Sequence, residues 1–218
     1  MILEPIRPTI LSVRVISHAH ESILLGYGAD PAVHTSLGLV TVDQDDSTFV
    51  ALDEATKQAP VDVVFARSFY AGAAYSSGRL SGEILGVIAG SGPTEVDDGL
   101  RAIVNCLEHD ACFYHGDEAG EIALFPHVVS SIGQYLSKES GLPVGSSMAY
   151  LVAPPMEGTI GVDRALKEAN VRVAKLFTPP TETNYTAAWL AGELSECKAA
   201  ASAFAEAVIE VGREPRLR

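Results

Sequence analysis

The chain has 218 residues, of which 47% are hydrophobic and 20% charged, enough apolar material for one large or two small packed domains and too much for a disordered chain. A net charge of −13 argues against a nucleic-acid binder, which needs clustered Lys and Arg to neutralise phosphate. Three cysteines at irregular spacing suggest reduced thiols rather than a disulfide framework, and no apolar window reaches the length of a membrane span.

The opening stretch MILEPIRPTILSVRVI carries two prolines and no continuous apolar run, so it is not expected to be a signal peptide. Ile6 to Ser17 predicts a first strand and Gly38 to Val42 a second, which leaves through the acidic turn Asp43-Gln-Asp-Asp46. Residues Ala51 to Ala66 predict a helix followed by an alternating strand. A loop of small residues, Ala71 to Gly78, precedes a buried strand at Ile84 to Ala89. Thr94 to Leu107 follows as a helix, with Val96, Leu100, Ile103, Val104 and Leu107 on one stripe. In the second half, His127 to Leu136 predicts a helix and Met148 to Val152 a strand. Asp163 to Ala169 predicts a helix, Val171 to Phe177 and Thr186 to Ala191 strands, and Glu193 to Val211 the closing helix.

The two halves repeat. Shifted by 110 positions without a gap, ALDEATKQAPVDVVFA from Ala51 meets GVDRALKEANVRVAKL from Gly161. The pairs Asp53/Asp163, Ala55/Ala165, Lys57/Lys167, Ala59/Ala169, Val61/Val171 and Val63/Val173 coincide. A repeat of about half the chain is too long for a solenoid unit and implies two copies of one small α+β domain, with helices on one face of an antiparallel sheet. The expected domains are residues 1–113 and 114–218. Aligning Ala89-Gly90 with Ala191-Gly192 lowers the offset to 102, so the loop after the central strand is eight residues longer in the first half.

Few motifs carry chemistry. Asp43, Asp45, Ser47 and Glu54 partly match a calcium loop, but Thr48 stands where the sharp turn needs glycine. An acidic cluster of this kind is by default a solvated turn, and with an aromatic wall it suits an organic cation. Cys106, His109, Cys112 and His115 recur at intervals of three, one helix end running into a loop, whereas zinc sites join ligand pairs from separate segments. The expectation is a buried thiol with surface histidines and no metal. Gly90-Ser-Gly-Pro93 lacks the Lys-Ser/Thr of a phosphate-binding loop and the third glycine of a dinucleotide fingerprint. No nucleophile with a base is nominated by the sequence, which leaves a triad assembled in space open.

Four stretches go further. DEATKQA at Asp53 to Ala59, RSFYAGAA at Arg67 to Ala74, MAYLVAPP at Met148 to Pro155 and TETNY at Thr181 to Tyr185, together with the duplicated design, resemble the L-type shell proteins of the ethanolamine-utilisation bacterial microcompartment. The resemblance covers nearly the whole chain. It implies two tandem ferredoxin-like, circularly permuted shell domains and a non-enzymatic homotrimer with pseudo-sixfold symmetry. Such a trimer tiles edge to edge with other shell proteins in a microcompartment shell in the cytoplasm. It implies a gated central pore, and ethanolamine bound at small pores through Asp45, Asp46, Glu83, Phe113, Thr183, Asn184 and Tyr185. An ammonium and a hydroxyl suit carboxylates, an aromatic face and polar backbone. Cobalamin is a further ligand implied by the resemblance, with no residue here to identify its site, and no cofactor is required. The longer loop around Phe69 to Gly78, with Phe69, Tyr70 and Tyr75 able to plug an opening, is the candidate gate. The residues alone also admit a non-assembling amine-sensing module, or an α+β enzyme with a metal near Cys112.

Overall fold

The structure, a computed structural model, describes residues 4–69, 80–117, 119–181 and 184–216. These divide into two compact units that interleave in sequence. The amino-terminal unit is Arg7–Ala111 with Gly133–Leu136; the carboxy-terminal unit is Met1–Ile6 with Cys112–Ile132 and Ser137–Arg218.

In the amino-terminal unit, β2 (Ile10–Ile16), β3 (Ser36–Val42), β4 (Asp62–Ser68) and β5 (Ile84–Gly90) form an antiparallel sheet in the order β2-β3-β5-β4. Helix α1 (Glu21–Gly26) precedes β3, α2 (Asp45–Gln58) follows it, and α3 (Pro93–His109) follows β5. Of the stripe predicted for α3, Val96, Leu100, Ile103 and Leu107 are buried, and Val104 at its edge is half-buried. This helix lies so close to β3 that a Cβ on Gly38 would stand 2.7 Å from Val96 and 2.9 Å from Leu100. Glycine in that central strand is therefore a packing requirement. The opposite sheet face is covered through Leu24 and Ala29, which pack with Leu37, Val87 and Ala89.

In the carboxy-terminal unit, β1 (Glu4–Ile6), β6 (Phe113–His115), β7 (Ala123–Val129), β8 (Ser147–Ala153), β9 (Arg172–Phe177) and β10 (Thr186–Gly192) form a sheet in the order β1-β6-β7-β8-β10-β9. Helix α4 begins within the other unit and spans Gln134–Ser140; α5 spans Pro155–Glu168 and α6 Leu194–Arg213. The core joins Ala149, Leu151, Ala188 and Leu190 of the sheet to Val162 and Ala165 of α5 and Ala201, Phe204 and Val208 of α6. Alternation explains the split: these strand residues face the helices, and Tyr150 and Trp189 face the other way.

The fold is the expected α+β pair of antiparallel sheets. Two local expectations fail. His127 to Leu136 is not one helix: His127, Val128 and Val129 end β7, and α4 starts only at Gln134. Strand β7 tolerates Pro126 because its pairing with β6 stops at Leu124, leaving one side without a ladder there. Asp45 and Asp46 are not in a turn but in the first turn of α2, where carboxylates favour the helix dipole. Among the described residues, no helix is long and apolar enough to cross a membrane.

Candidate functional site

The amino-terminal unit gathers three carboxylates. Asp43 ends the β3 turn, with Oδ1 accepting from the Thr9 amide at 2.6 Å. Asp45 opens α2 and is only 8% exposed, with Oδ1 accepting from the Asp46 amide at 2.8 Å. The helix start is tied by Ser47 Oγ donating to Gln44 Oε1 at 2.8 Å and Thr48 Oγ1 donating to the Gln44 carbonyl at 2.6 Å. Glu83 arrives from the other side of the sheet end. Gly82, at φ +62°, makes a turn that no side chain would fit, since its Cβ would stand 2.3 Å from the Val42 carbonyl. That turn lets the Glu83 amide donate to the Val42 carbonyl at 2.8 Å, beside Asp43.

Burial, then the charges of Asp45 and Asp43, push the Glu83 carboxyl up to about 7. A group of this kind gains most from a cation that replaces lost water and offsets its neighbours' charge. The sequence places Asp43 in the acidic cluster, as a partial calcium-loop ligand or a carboxylate for an organic cation, but does not bring it beside Glu83. The signal was a strand end that brings the acids at 43 and 83 together, and sequence alone does not pair those strands.

Each of the other described candidates is placed within its own unit. Phe69 follows β4, and its amide donates to the Glu83 carbonyl at 2.9 Å, which ties the start of the candidate gate to the acidic cluster. Tyr70 and Tyr75 lie outside the described residues, as does Thr183. Phe113, Asn184 and Tyr185 belong to the carboxy-terminal unit. Asn184, in the left-handed region at φ 60°, donates to the Thr181 carbonyl at 3.2 Å, and Thr181 Oγ1 donates to the Tyr185 carbonyl at 3.0 Å. Tyr185 immediately precedes β10 as Glu83 immediately precedes β5, which keeps the repeat equivalence.

Phe113 begins an aromatic row on the sheet face turned from α5 and α6. Its ring lies 5.0 Å from Phe125, Phe125 lies 5.4 Å from Tyr150, and Tyr150 lies 5.4 Å from Trp189. At the far end Lys175 Nζ stands 5.0 Å over Phe177 and 5.1 Å over Trp189. An ammonium is thus already held by aromatic faces in this fold.

The cysteine-histidine series is divided between the two units. Cys106 and His109 end α3, whereas Cys112 and His115 belong to the carboxy-terminal unit. Burial pushes the Cys106 thiol up to about 12, the opposite of what a thiolate ligand needs. Among the described residues no group of three His, Cys, Asp or Glu is arranged to hold a metal ion. At Gly90-Ser-Gly92, Glu95 accepts from the Ser91 amide at 2.8 Å and from Ser91 Oγ, so this turn is filled by its own carboxylate.

No protein-family model matches the chain. It is 46% identical over 213 residues to the bacterial microcompartment shell protein EutL of Salmonella typhimurium, covering 98% of this chain and 97% of that one. The crystal structure of EutL from Clostridium perfringens superposes with a TM-score of 0.93 at 47% identity, covering 99% of this chain and 97% of that one. The ethanolamine utilization protein EutL from Leptotrichia buccalis superposes with a TM-score of 0.95 at 43% identity, over 100% of both chains.

Proposed function

The chain belongs to the EutL family of bacterial microcompartment shell proteins, and from that premise we propose that three copies close into a pseudo-hexameric tile whose acidic cluster takes ethanolamine. The family is structural, not enzymatic, and its place is the shell of the ethanolamine-utilisation microcompartment. The tile abuts other shell proteins at its edges and passes small molecules through a gated pore. Two copies of one domain per chain give six domain positions from three chains, the symmetry that a cyclic ring needs.

The observation that carries the ligand reading is the meeting of Asp43, Asp45 and Glu83, which leaves Glu83 poised to ionise when a cation arrives. An ammonium supplies that cation, and Asp46 adds charge in the same helical turn. Phe113, Thr183, Asn184 and Tyr185 are proposed ligand contacts on the carboxy-terminal unit. The gate is the segment from Phe69 to Gly78 with Tyr70 and Tyr75, and the bond from the Phe69 amide to Glu83 supports coupling between ligand and gate. Deleting the eight extra residues should alter pore closure while leaving the ring intact, and a lost ring would refute the gate.

The test is solution mass by light scattering, followed by calorimetric titration of ethanolamine. A mass near 69 kDa, three times the 23.0 kDa chain, is expected. Asp45→Ala should weaken ethanolamine by roughly ten- to a hundredfold, as expected when a charged hydrogen-bond partner is lost. A stable monomer would overturn the tile and leave an amine-sensing module, and unchanged affinity would overturn the ligand site.

A further inference from the structure

The turn that delivers Glu83 is held differently in the two repeats. Gly82 stands two residues before β5 and Asn184 two before β10, and both have a left-handed backbone, at φ +62° and 60°. In the carboxy-terminal unit the turn holds itself. Thr181 Oγ1 donates to the Tyr185 carbonyl at 3.0 Å, and the Asn184 amide donates to the Thr181 carbonyl at 3.2 Å. In the amino-terminal unit a hydroxyl comes from outside the turn. Thr41, one residue before the end of β3, donates from Oγ1 to the Leu80 carbonyl at 2.7 Å. Its counterpart, one residue before the end of β8, is Val152, which has no hydroxyl to give. The register agrees, since Thr41 pairs with Leu85 and Val152 with Ala187, each the second residue of its strand.

The Thr41 hydroxyl has little help from packing. Leu80 is 50% exposed, so apolar burial holds it weakly. A cleft of about 1000 Å³, lined by Leu11, Val13 and Arg14 of β2 and by Leu80 and Ser81, gives the turn room to leave the sheet. Beyond Leu80 the path is narrow. Gly82 passes so close to the Val42 carbonyl that a Cβ would stand 2.3 Å from it, and the Glu83 amide donates to the same carbonyl at 2.8 Å. A bond that fixes Leu80 therefore fixes the approach of Gly82 to Val42, and with it the direction in which the Glu83 side chain leaves the main chain. The charged groups facing that carboxylate are Asp45 on α2 and Asp43 just past β3.

We propose that Thr41 is a positioning residue of the amine site: through its bond to Leu80 it holds the Glu83 carboxylate beside Asp43 and Asp45 without itself touching the ligand. The inference rests on the reading of that cluster as the ethanolamine site. It also accounts for the asymmetry of the repeats. The turn that ends in an acid has to be held against its neighbours' charge, and the strand supplies the hold; the turn that ends in Tyr185 is held by its own Thr181.

The test is calorimetric titration of ethanolamine into Thr41→Val between pH 6 and 8. Valine keeps the β-branched shape that suits a strand and is the residue β8 carries at this position, so the fold is retained and the melting curve should match the wild type. Affinity at pH 8 should fall roughly three- to tenfold, as for the loss of one hydrogen bond. A Glu83 carboxyl no longer held among its neighbours returns toward its ordinary 4.5, so the rise of affinity with pH should flatten. Thr41→Ser keeps the hydroxyl and should bind and titrate as the wild type does. In a Glu83→Gln background, Thr41→Val should have no further effect, because it acts only through Glu83. Wild-type affinity and pH profile in Thr41→Val overturn the positioning role and leave the acidic cluster standing. An equal loss with and without Glu83 also overturns it, since damage to the fold gives that result. Wild-type binding that Glu83→Gln leaves unchanged at every pH overturns the cluster itself.

Discussion

Removing the Asp53 carboxylate tests the closure of α2 most directly. Its two oxygens are acceptors for two buried amides, those of Gly133 and Leu136, from a segment 80 or more residues distant. Asp53→Ala leaves both donors without their acceptor, at about 1 to 3 kcal/mol each. Partial relaxation brings the expected loss to about 3 kcal/mol, or roughly 6–12 °C in Tm for a chain of this size. Asp53→Asn keeps one acceptor oxygen and should lose about half as much. The control is Asp97→Ala, which breaks an exposed pair with Arg101 at 2.7 Å and should cost about 0.3–0.5 kcal/mol. Thermal melts followed by circular dichroism, at one chain concentration, measure all three. The sign of the pH response is a second check. Burial raises the Asp53 carboxyl above its ordinary 3.8, against the pull of the Gly133 and Leu136 amides and Lys57. The folded chain therefore holds that proton more tightly than the unfolded chain, and the residue's contribution falls as pH rises from 3.8 through the raised folded value. Because Asn does not titrate, the Asp53→Asn penalty should shrink as pH rises across that window. A loss in Asp53→Ala no larger than in Asp97→Ala would refute the anchoring role. A penalty that grows with pH would show that the amide bonds outweigh burial.

Glu83 predicts a pH-dependent affinity for ethanolamine. Its carboxyl is pushed up to about 7, so it becomes an anion between pH 6 and 8 while an alkylammonium stays protonated. Affinity should rise roughly five- to tenfold across that range, the gain from one more charge at about 4 Å near a protein surface after screening. Glu83→Gln should flatten the profile, and a wild-type affinity that is flat or falls with pH would refute the cluster as the cation site. Thiol accessibility gives a further prediction. All three cysteines are buried and burial holds the Cys106 thiol up to about 12, so a thiol reagent at pH 8 should label none in the native protein and three after denaturation. Rapid labelling of Cys106 in the native state would contradict its place on the buried face of α3.

The strands and helices were legible where one period ruled a whole segment. The stripe of Val96, Leu100, Ile103 and Leu107 is unambiguous, and so is the short apolar run from Met148 to Val152. Reading failed where two elements abut with apolar residues on both sides. From His127 to Leu136 a strand end, a bend and a helix start share one apolar run, and Pro126 obscures the strand. Helix α1 went unseen because six residues are too few to establish a period. The acidic cluster was legible in part. Asp45, Asp46 and Glu83 were named through the resemblance, but the geometry adds Asp43, whose placement depends on the β3–β5 pairing. What sequence does not carry is which surface covers which.

Asp53 and Asp163 make that limit concrete. Both sit in the same helical position, each four residues before a lysine, and local propensity treats them alike. One is fully buried and serves two amides; the other is largely exposed and pairs with a surface lysine. The difference is not in the helix but in the segment laid over it: Gly133 to Leu136 covers α2 at Asp53. A buried carboxylate is costly unless its acceptors are used, so Asp53 is tolerable only because the second repeat reaches across. The same letter in the second repeat is at ease in water, paired with Lys167 at the surface. Duplication therefore fixes where an acid stands along a helix but not whether it is buried, which depends on the segment that the fold lays over it.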